Sequence, residues 1–278
     1  MFYIEKNDKP SWLERKINLI KIQENTIIVP INENTNKKQV EKIAKKTNKI
    51  ISKMTSSKKI VLSKKIQQEE QYVNYLNSYG LEISDGRWLF EILLINIVEY
   101  LIQKRKIEKA SISILINDLT EIEFKNIKLL ANKYKTINIV TNHIEKFKKL
   151  EEQLREEGII ITITNNKKKS LMKSNIIVNV DFSKELLNKY KVNENANIIN
   201  LKGKVKINQK SFNGLNINNY EIDFRDDKKS IQAYSNKYYL KDLYESELYK
   251  KQGLDSINSK IKADKVIVKN LILNHGEL

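Results

Sequence analysis

Short apolar runs alternate with amphipathic stretches along residues 111–181 of this chain. The runs cover 111–116, 137–140, 159–164 and 176–180 and are rich in isoleucine. Between them, 121–134 and 145–157 repeat apolar residues at spacings of three and four, the period of a helix with one buried face. Such alternation predicts parallel strands joined by crossover helices. The earlier part of the chain behaves alike. Val40, Ile43, Ala44, Thr47, Ile50 and Ile51 mark a helix between β-type runs at 26–31 and 59–63. A helix is expected at 67–78 with Gly80 as its C-terminal cap, then a strand at 81–84, a turn at Asp85-Gly86 and one long helix over 87–106.

Downstream, 167–173 reads as a short helix or turn, 183–190 as a helix and 197–201 as a strand. The character then changes. Residues 203–224 alternate around Asn213-Gly214, which predicts a tight hairpin turn. A tyrosine-rich stretch at 230–251 reads as helical, its tyrosines half buried against the sheet, and 265–273 as a terminal strand. Together these elements predict an α/β fold of two adjoining lobes of mainly parallel sheet. The second is Rossmann-like, with a β-hairpin and helical C-terminal extension. The expected divisions are 1–107 for an N-terminal α/β lobe, 108–202 for the Rossmann-like lobe, and 203–278 for an extension packed on the second lobe.

Composition refines this picture. Of the 278 residues, 40% are hydrophobic and 31% charged, the balance of a globular protein. The absence of cysteine excludes disulfides, thiolate zinc sites and a cysteine nucleophile. The N-terminus lacks a signal-peptide pattern, and the most apolar segment, 88–102, is short and carries Glu91, Asn96 and Glu99. The expectation is a cytoplasmic protein with no membrane partner. A formal charge of +17 invites nucleic acid or another anionic partner. The basic residues are nearly all lysine, however, the arginines being Arg15, Arg87, Arg105, Arg155 and Arg225. Arginine is the residue suited to bidentate phosphate and base contacts, and an AT-rich coding sequence enriches lysine, asparagine and isoleucine whatever the function.

Ligands of parallel sheets bind beyond the carboxyl ends of the strands. In the second lobe those positions hold Asn117, Asp118, Thr141, Asn142, His143, Thr164, Asn165, Asn166, Asp181 and Asn200. Asn117, Thr141, Asn142, His143 and Asn165 are the candidate ligand contacts; Asp118 and Asp181 are the candidates for acid–base work. Where a dinucleotide-binding turn carries glycines, this chain has Asn117-Asp118-Leu119-Thr120-Glu121-Ile122, and no glycine occurs between Arg87 and Glu157. Thr120 with Glu123 fits a capping box, and Asn142 with Glu145 repeats the logic one helix later. A phosphate at this turn meets carboxylates instead of open backbone. The histidines are His143 and His275, no zinc-protease, P-loop or serine-hydrolase motif is present, and no metal site is expected.

The stretch Asn138-Ile139-Val140-Thr141-Asn142-His143, with the later 171–181, resembles the NADP-type Rossmann domains of shikimate dehydrogenase and glutamyl-tRNA reductase. In those families the second strand ends in Asn-Arg-Thr or Asn-Arg-Ser, the arginine contacting the 2′-phosphate. The resemblance covers about residues 111–181, places Asn142 at the asparagine and His143 at the arginine, and implies NADP. Three readings stand side by side. The first is a divergent Rossmann-like protein binding a nucleotide-type or other small molecule. The second is an NADP-dependent reductase, and the third a non-enzymatic basic protein that binds an anionic partner.

Overall fold

The computed structural model describes residues 1–226, 229–273 and 276–278; His275 lies outside them. In chain order the elements begin with β1 (Phe2–Lys6), α1 (Trp12–Ile17), β2 (Lys21–Gln23), β3 (Thr26–Val29), α2 (Lys37–Met54) and β4 (Lys59–Leu62). There follow α3 (Lys64–Gln67), α4 (Glu70–Ser78), β5 (Glu82–Ser84), α5 (Arg87–Ile92) and α6 (Leu94–Arg105). Next come β6 (Ser111–Leu115), α7 (Glu121–Lys133), β7 (Thr136–Val140), α8 (Ile144–Glu156), β8 (Thr162–Thr164), α9 (Lys167–Lys173) and β9 (Ile176–Asn179). The chain ends with α10 (Lys184–Lys189), β10 (Asn197–Asn200), β11 (Leu215–Phe224), α11 (Lys229–Gln232), α12 (Leu240–Leu248), α13 (Leu254–Ala263), β12 (Val266–Leu273) and β13 (Gly276–Glu277). The chain is α/β, with two sheets of mainly parallel strands. Among the described residues no helix is long and apolar enough to cross a membrane.

Contacts divide the chain into residues 1–86 with 226–260, and 87–225 with 261–278. The division falls at Gly86, ahead of α5 and α6, where the sequence pattern suggested a border near 107. The first unit holds the sheet ordered β2-β3-β1-β4-β5, parallel except for its edge strand β2. Phe2 and Ile4 of β1 point into a core of Ile27, Val29, Ile43, Ile60, Leu62 and Leu76, while the intervening Tyr3 stays partly exposed. That alternation of faces is what a strand requires. On α2 the buried positions Val40, Ile43, Ala44, Thr47 and Ile51 follow the predicted stripe, and Asn36 with Gln39 closes its first turn as a capping box. The buried Tyr72 hydroxyl meets Thr47 Oγ1 at 2.8 Å, and burial pushes its phenol well above the usual range.

Helix α12 belongs to the first unit and packs beside β4 and β5. Its Lys241, Asp242 and Glu245 are buried and satisfied internally. Lys241 Nζ donates to Asp242 Oδ1 at 2.8 Å and to the Asp85 carbonyl, and Gln67 Nε2 donates to Asp242 Oδ2 at 2.7 Å. Burial raises the Asp242 carboxyl while the Lys241 charge pulls it down. A Cβ on Gly86 would lie 2.8 Å from the Lys241 side chain, so the turn there needs glycine. The tyrosines do not share one environment: Tyr238 and Tyr244 are buried, whereas Tyr234 and Tyr239 are exposed.

The second unit's sheet is ordered β13-β12-β11-β10-β9-β6-β7-β8. Its six strands from β11 to β8 are parallel, in the 3-2-1-4-5-6 order of a doubly wound nucleotide-binding sheet. Leu115, Val140, Ile177, Phe182, Leu187 and Ile198 form part of its core. The predicted hairpin at Asn213-Gly214 is corrected by the structure. Residues 203–214 contain no strand, and β11 runs parallel to β10 from Leu215 onward. Gly214 serves close approach instead, because a Cβ there would come 1.8 Å from the Ala196 carbonyl oxygen. The antiparallel partner of β11 is the distant β12.

Candidate functional site

Where the strand order reverses, between β6 and β9, the chain leaves β6 through Asn117 and Asp118 and leaves β9 toward Asp181. The Asp181 carboxylate accepts the Asn117 amide N–H (2.8 and 3.0 Å to its two oxygens), the Asn117 side-chain amide (3.1 Å) and the Asp118 N–H (3.1 Å). Asn117 Oδ1 in turn accepts the Asn142 amide N–H at 3.0 Å. One asparagine side chain thus ties together the ends of β6, β7 and β9. Backbone amides at such a turn are the groups a pyrophosphate needs. Here they already face a carboxylate of the same chain.

The sequence-predicted residues are brought together in part. Asn117, Asp118, Asn142 and Asp181 join one hydrogen-bonded knot. Thr141 is buried, and its hydroxyl accepts the His143 N–H at 3.0 Å, which shapes the turn into α8. Asn165 enters only through its carbonyl, which accepts from Lys167 N–H at 2.9 Å. Asn142 does not cap α8. That helix begins a residue later than the capping pattern implies, with His143 in the cap position and no side-chain cap bond. Asn142's backbone is held by Asn117 instead. The side chains of Asn142, His143 and Asn165 are exposed and make no hydrogen bond or ion pair among the described residues.

Electrostatics set the two aspartates apart. Lys146 Nζ lies 2.6 Å from Asp118 Oδ1, and this bond and charge hold the Asp118 carboxyl below the usual carboxylate range. Asp118 therefore stays ionised near neutrality. Asp181 uses its oxygens on amides, an arrangement suited to anchoring a turn more than to moving a proton. At the start of α7, Glu123 accepts the Thr120 N–H at 3.0 Å and the Thr120 hydroxyl, the reach-back half of the expected capping box. Lys202 Nζ stands 3.2 Å from the buried Glu123. Burial opposes that ammonium, yet the Glu123 and Glu91 charges raise it above its ordinary value.

A buried asparagine ladder continues the knot across the sheet; the sequence placed Asn200 at a strand end but did not point to Asn179, Asn216 or Asn218. Asn179 Nδ2 donates to Asn200 Oδ1 (3.0 Å), and Asn200 Nδ2 donates to Asn216 Oδ1 (2.8 Å) and Asn218 Oδ1 (3.0 Å). Asn216 and Asn218 then hold Val205 through its carbonyl and amide. The one available signal was an asparagine at the end of each of two adjacent buried strands. Lys146 and Lys202 were missed as well, since a lysine on an exposed helix start or loop looks like any other in so basic a chain. Among the described residues no group of three histidine, aspartate or glutamate side chains is placed to hold a metal ion.

No protein-family profile and no curated protein matches the chain. Among solved structures, ornithine transcarbamoylase from Giardia lamblia is 12% identical over 72% of this chain and 72% of its own, with a TM-score of 0.28. Ornithine carbamoyltransferase from Pyrococcus furiosus is 10% identical over 72% of this chain and 71% of its own, with a TM-score of 0.29. An aspartate transcarbamoylase from Trypanosoma cruzi, solved with aspartate and phosphate, is 10% identical over 72% of each chain, with a TM-score of 0.26. These likenesses correct the resemblance to shikimate dehydrogenase and glutamyl-tRNA reductase: the matching structures are carbamoyltransferases.

Proposed function

We propose that this protein binds a small, uncharged or zwitterionic polar ligand at the carboxyl ends of β6, β7 and β9, and seats no dinucleotide there. The observation that carries this reading is the engagement of the Asn117 and Asp118 amides by Asp181. A pyrophosphate would have to displace a carboxylate that accepts backbone N–H groups, next to a second carboxylate kept ionised by Lys146. The free side chains of Asn142, His143 and Asn165 supply donors and acceptors. Of the lysines nearby, Lys146 and Lys202 are held by Asp118 and Glu123.

A thermal-shift panel of NAD, NADP, adenosine and S-adenosylmethionine tests the reading. NAD and NADP at millimolar concentration give no Tm shift that depends on His143. A bound ligand at a hundred times its Kd adds about 3 kcal/mol, an easily read shift. That shift shrinks in His143→Ala. A saturable NADP shift that disappears in His143→Ala would overturn the reading, and silence from every non-dinucleotide in the panel would count against it.

A further inference from the structure

The first unit has a switch point of its own. Its parallel strands run β3-β1-β4-β5, so successive crossovers leave β1 in opposite directions, and the crevice between β1 and β4 opens at their carboxyl ends. A groove of about 420 Å³ lies there, walled by Lys6, Asp8, Asn32, Asn34, Lys65 and Gln68. A hollow of about 330 Å³ shares Asn32 and Asn34 with it and extends the groove to Trp12, Arg15 and Lys16. Both volumes fall within the range of small-molecule clefts, roughly 300–1,000 Å³.

Part of this wall is fixed and part is free. Asn32 Oδ1 accepts the Asn34 N–H at 2.9 Å and the Thr35 hydroxyl at 3.1 Å, which holds the loop after β3. Lys6 pairs with Glu69 at 2.5 Å and Lys65 with Asp8 at 2.6 Å. By contrast, the Arg15 guanidinium has no ion pair among the described residues, and the side-chain amide nitrogens of Asn32, Asn34 and Gln68 have no hydrogen bond among them. The Trp12 indole is 66% exposed, with Lys16 Nζ 4.8 Å from its ring centre. With Glu69 paired to Lys6, the four cations Lys6, Arg15, Lys16 and Lys65 face the three carboxylates Asp8, Glu33 and Glu69, which leaves one positive charge in excess.

We propose that this groove binds a phosphorylated sugar, either free or as part of a mononucleotide. The unpaired Arg15 fork matches two phosphate oxygens at once. The free amides of Asn32, Asn34 and Gln68 meet sugar hydroxyls, and the exposed Trp12 ring stacks on a base. The surplus of positive charge selects for the anion. None of these residues takes part in the strand-end knot of the second unit, so the two proposals stand or fall separately.

Isothermal titration of the full chain with ribose 5-phosphate, AMP, adenosine and inorganic phosphate tests it. Ribose 5-phosphate and AMP bind saturably, and both more tightly than inorganic phosphate or adenosine. Arg15→Ala weakens both by about tenfold, the scale of one charge-assisted pair. Trp12→Ala weakens AMP alone if the ligand is a mononucleotide, and neither probe if it is a free sugar phosphate. His143→Ala leaves both unchanged. The proposal is overturned if neither phosphorylated sugar binds saturably, if inorganic phosphate binds as well as they do, if Arg15→Ala has no effect, or if His143→Ala abolishes the binding.

Discussion

Beyond β1, β3 and β4 of the first unit, charged side chains meet in solvent-facing pairs around a groove, and several polar groups have no partner among the described residues. Beyond β6, β9 and β10 of the second unit, the equivalent positions carry asparagines and an aspartate that bond to one another, many of them buried. Both sheets are mainly parallel and both have a switch point, so topology alone offers two places for a ligand. What separates them is the disposition of polar groups. Donors already engaged by the chain hold its loops in place, whereas donors left facing solvent are available to something else. In the second unit this leaves only the outer rim, Asn142, His143 and Asn165, for recognition.

The contrast predicts that substitutions at the second unit's strand ends cost stability while those at the first unit's groove do not. The largest effect in that unit lies apart from the strand-end knot, on Gly214→Ala at the amino end of β11. Its Cβ would meet the Ala196 carbonyl oxygen, and the forced shift costs about 3 kcal/mol in denaturant unfolding. Asn200→Ala follows, since it strips partners from the buried Asn179, Asn216 and Asn218 and lowers the unfolding free energy by about 2–3 kcal/mol. Asp181→Ala costs about 2 kcal/mol and speeds amide exchange at Asn117 and Asp118; unchanged exchange would break the knot argument. Lys65→Ala, in an exposed pair, stays within about 0.5 kcal/mol of the parent.

The smallest effect concerns pH. Lys146 lowers the folded-state carboxyl of Asp118 relative to the unfolded chain. Stability from this pair is therefore present above the unfolded carboxylate range and is lost as pH falls through the lowered folded value. The pair is exposed, so the loss is best followed at the residue. In an NMR titration, Lys146→Met moves the Asp118 carboxyl upward, and an unmoved titration would contradict the assigned cause.

Much of the scaffold was legible, because strands buried on both faces and helices with one apolar stripe leave different periods in the sequence. Strand β1 was passed over. Five residues at a terminus, with Tyr3 and Glu5 between the buried Phe2 and Ile4, give too short an alternation to stand out. Helix α12 was read as helical with half-buried tyrosines, but the burial of Lys241, Asp242 and Glu245 was not legible, since such residues pay for burial only through partners that include distant parts of the chain. The hairpin reading failed at Asn213-Gly214 for a related reason: a glycine needed for close approach looks the same in sequence as one needed for a turn. At the candidate site, the residues were legible and their engagement was not. Asn117 and Asp181 were each singled out, but a bond across 64 positions leaves no local pattern.

Asp181 occupies the turn that a dinucleotide would use. Titration of the full chain with NADP, followed by NMR at the Asn117 and Asp118 backbone amides, addresses it directly. The predicted result is that neither resonance moves at millimolar NADP. Saturable shifts at both amides, with Asp181 intact, would contradict it.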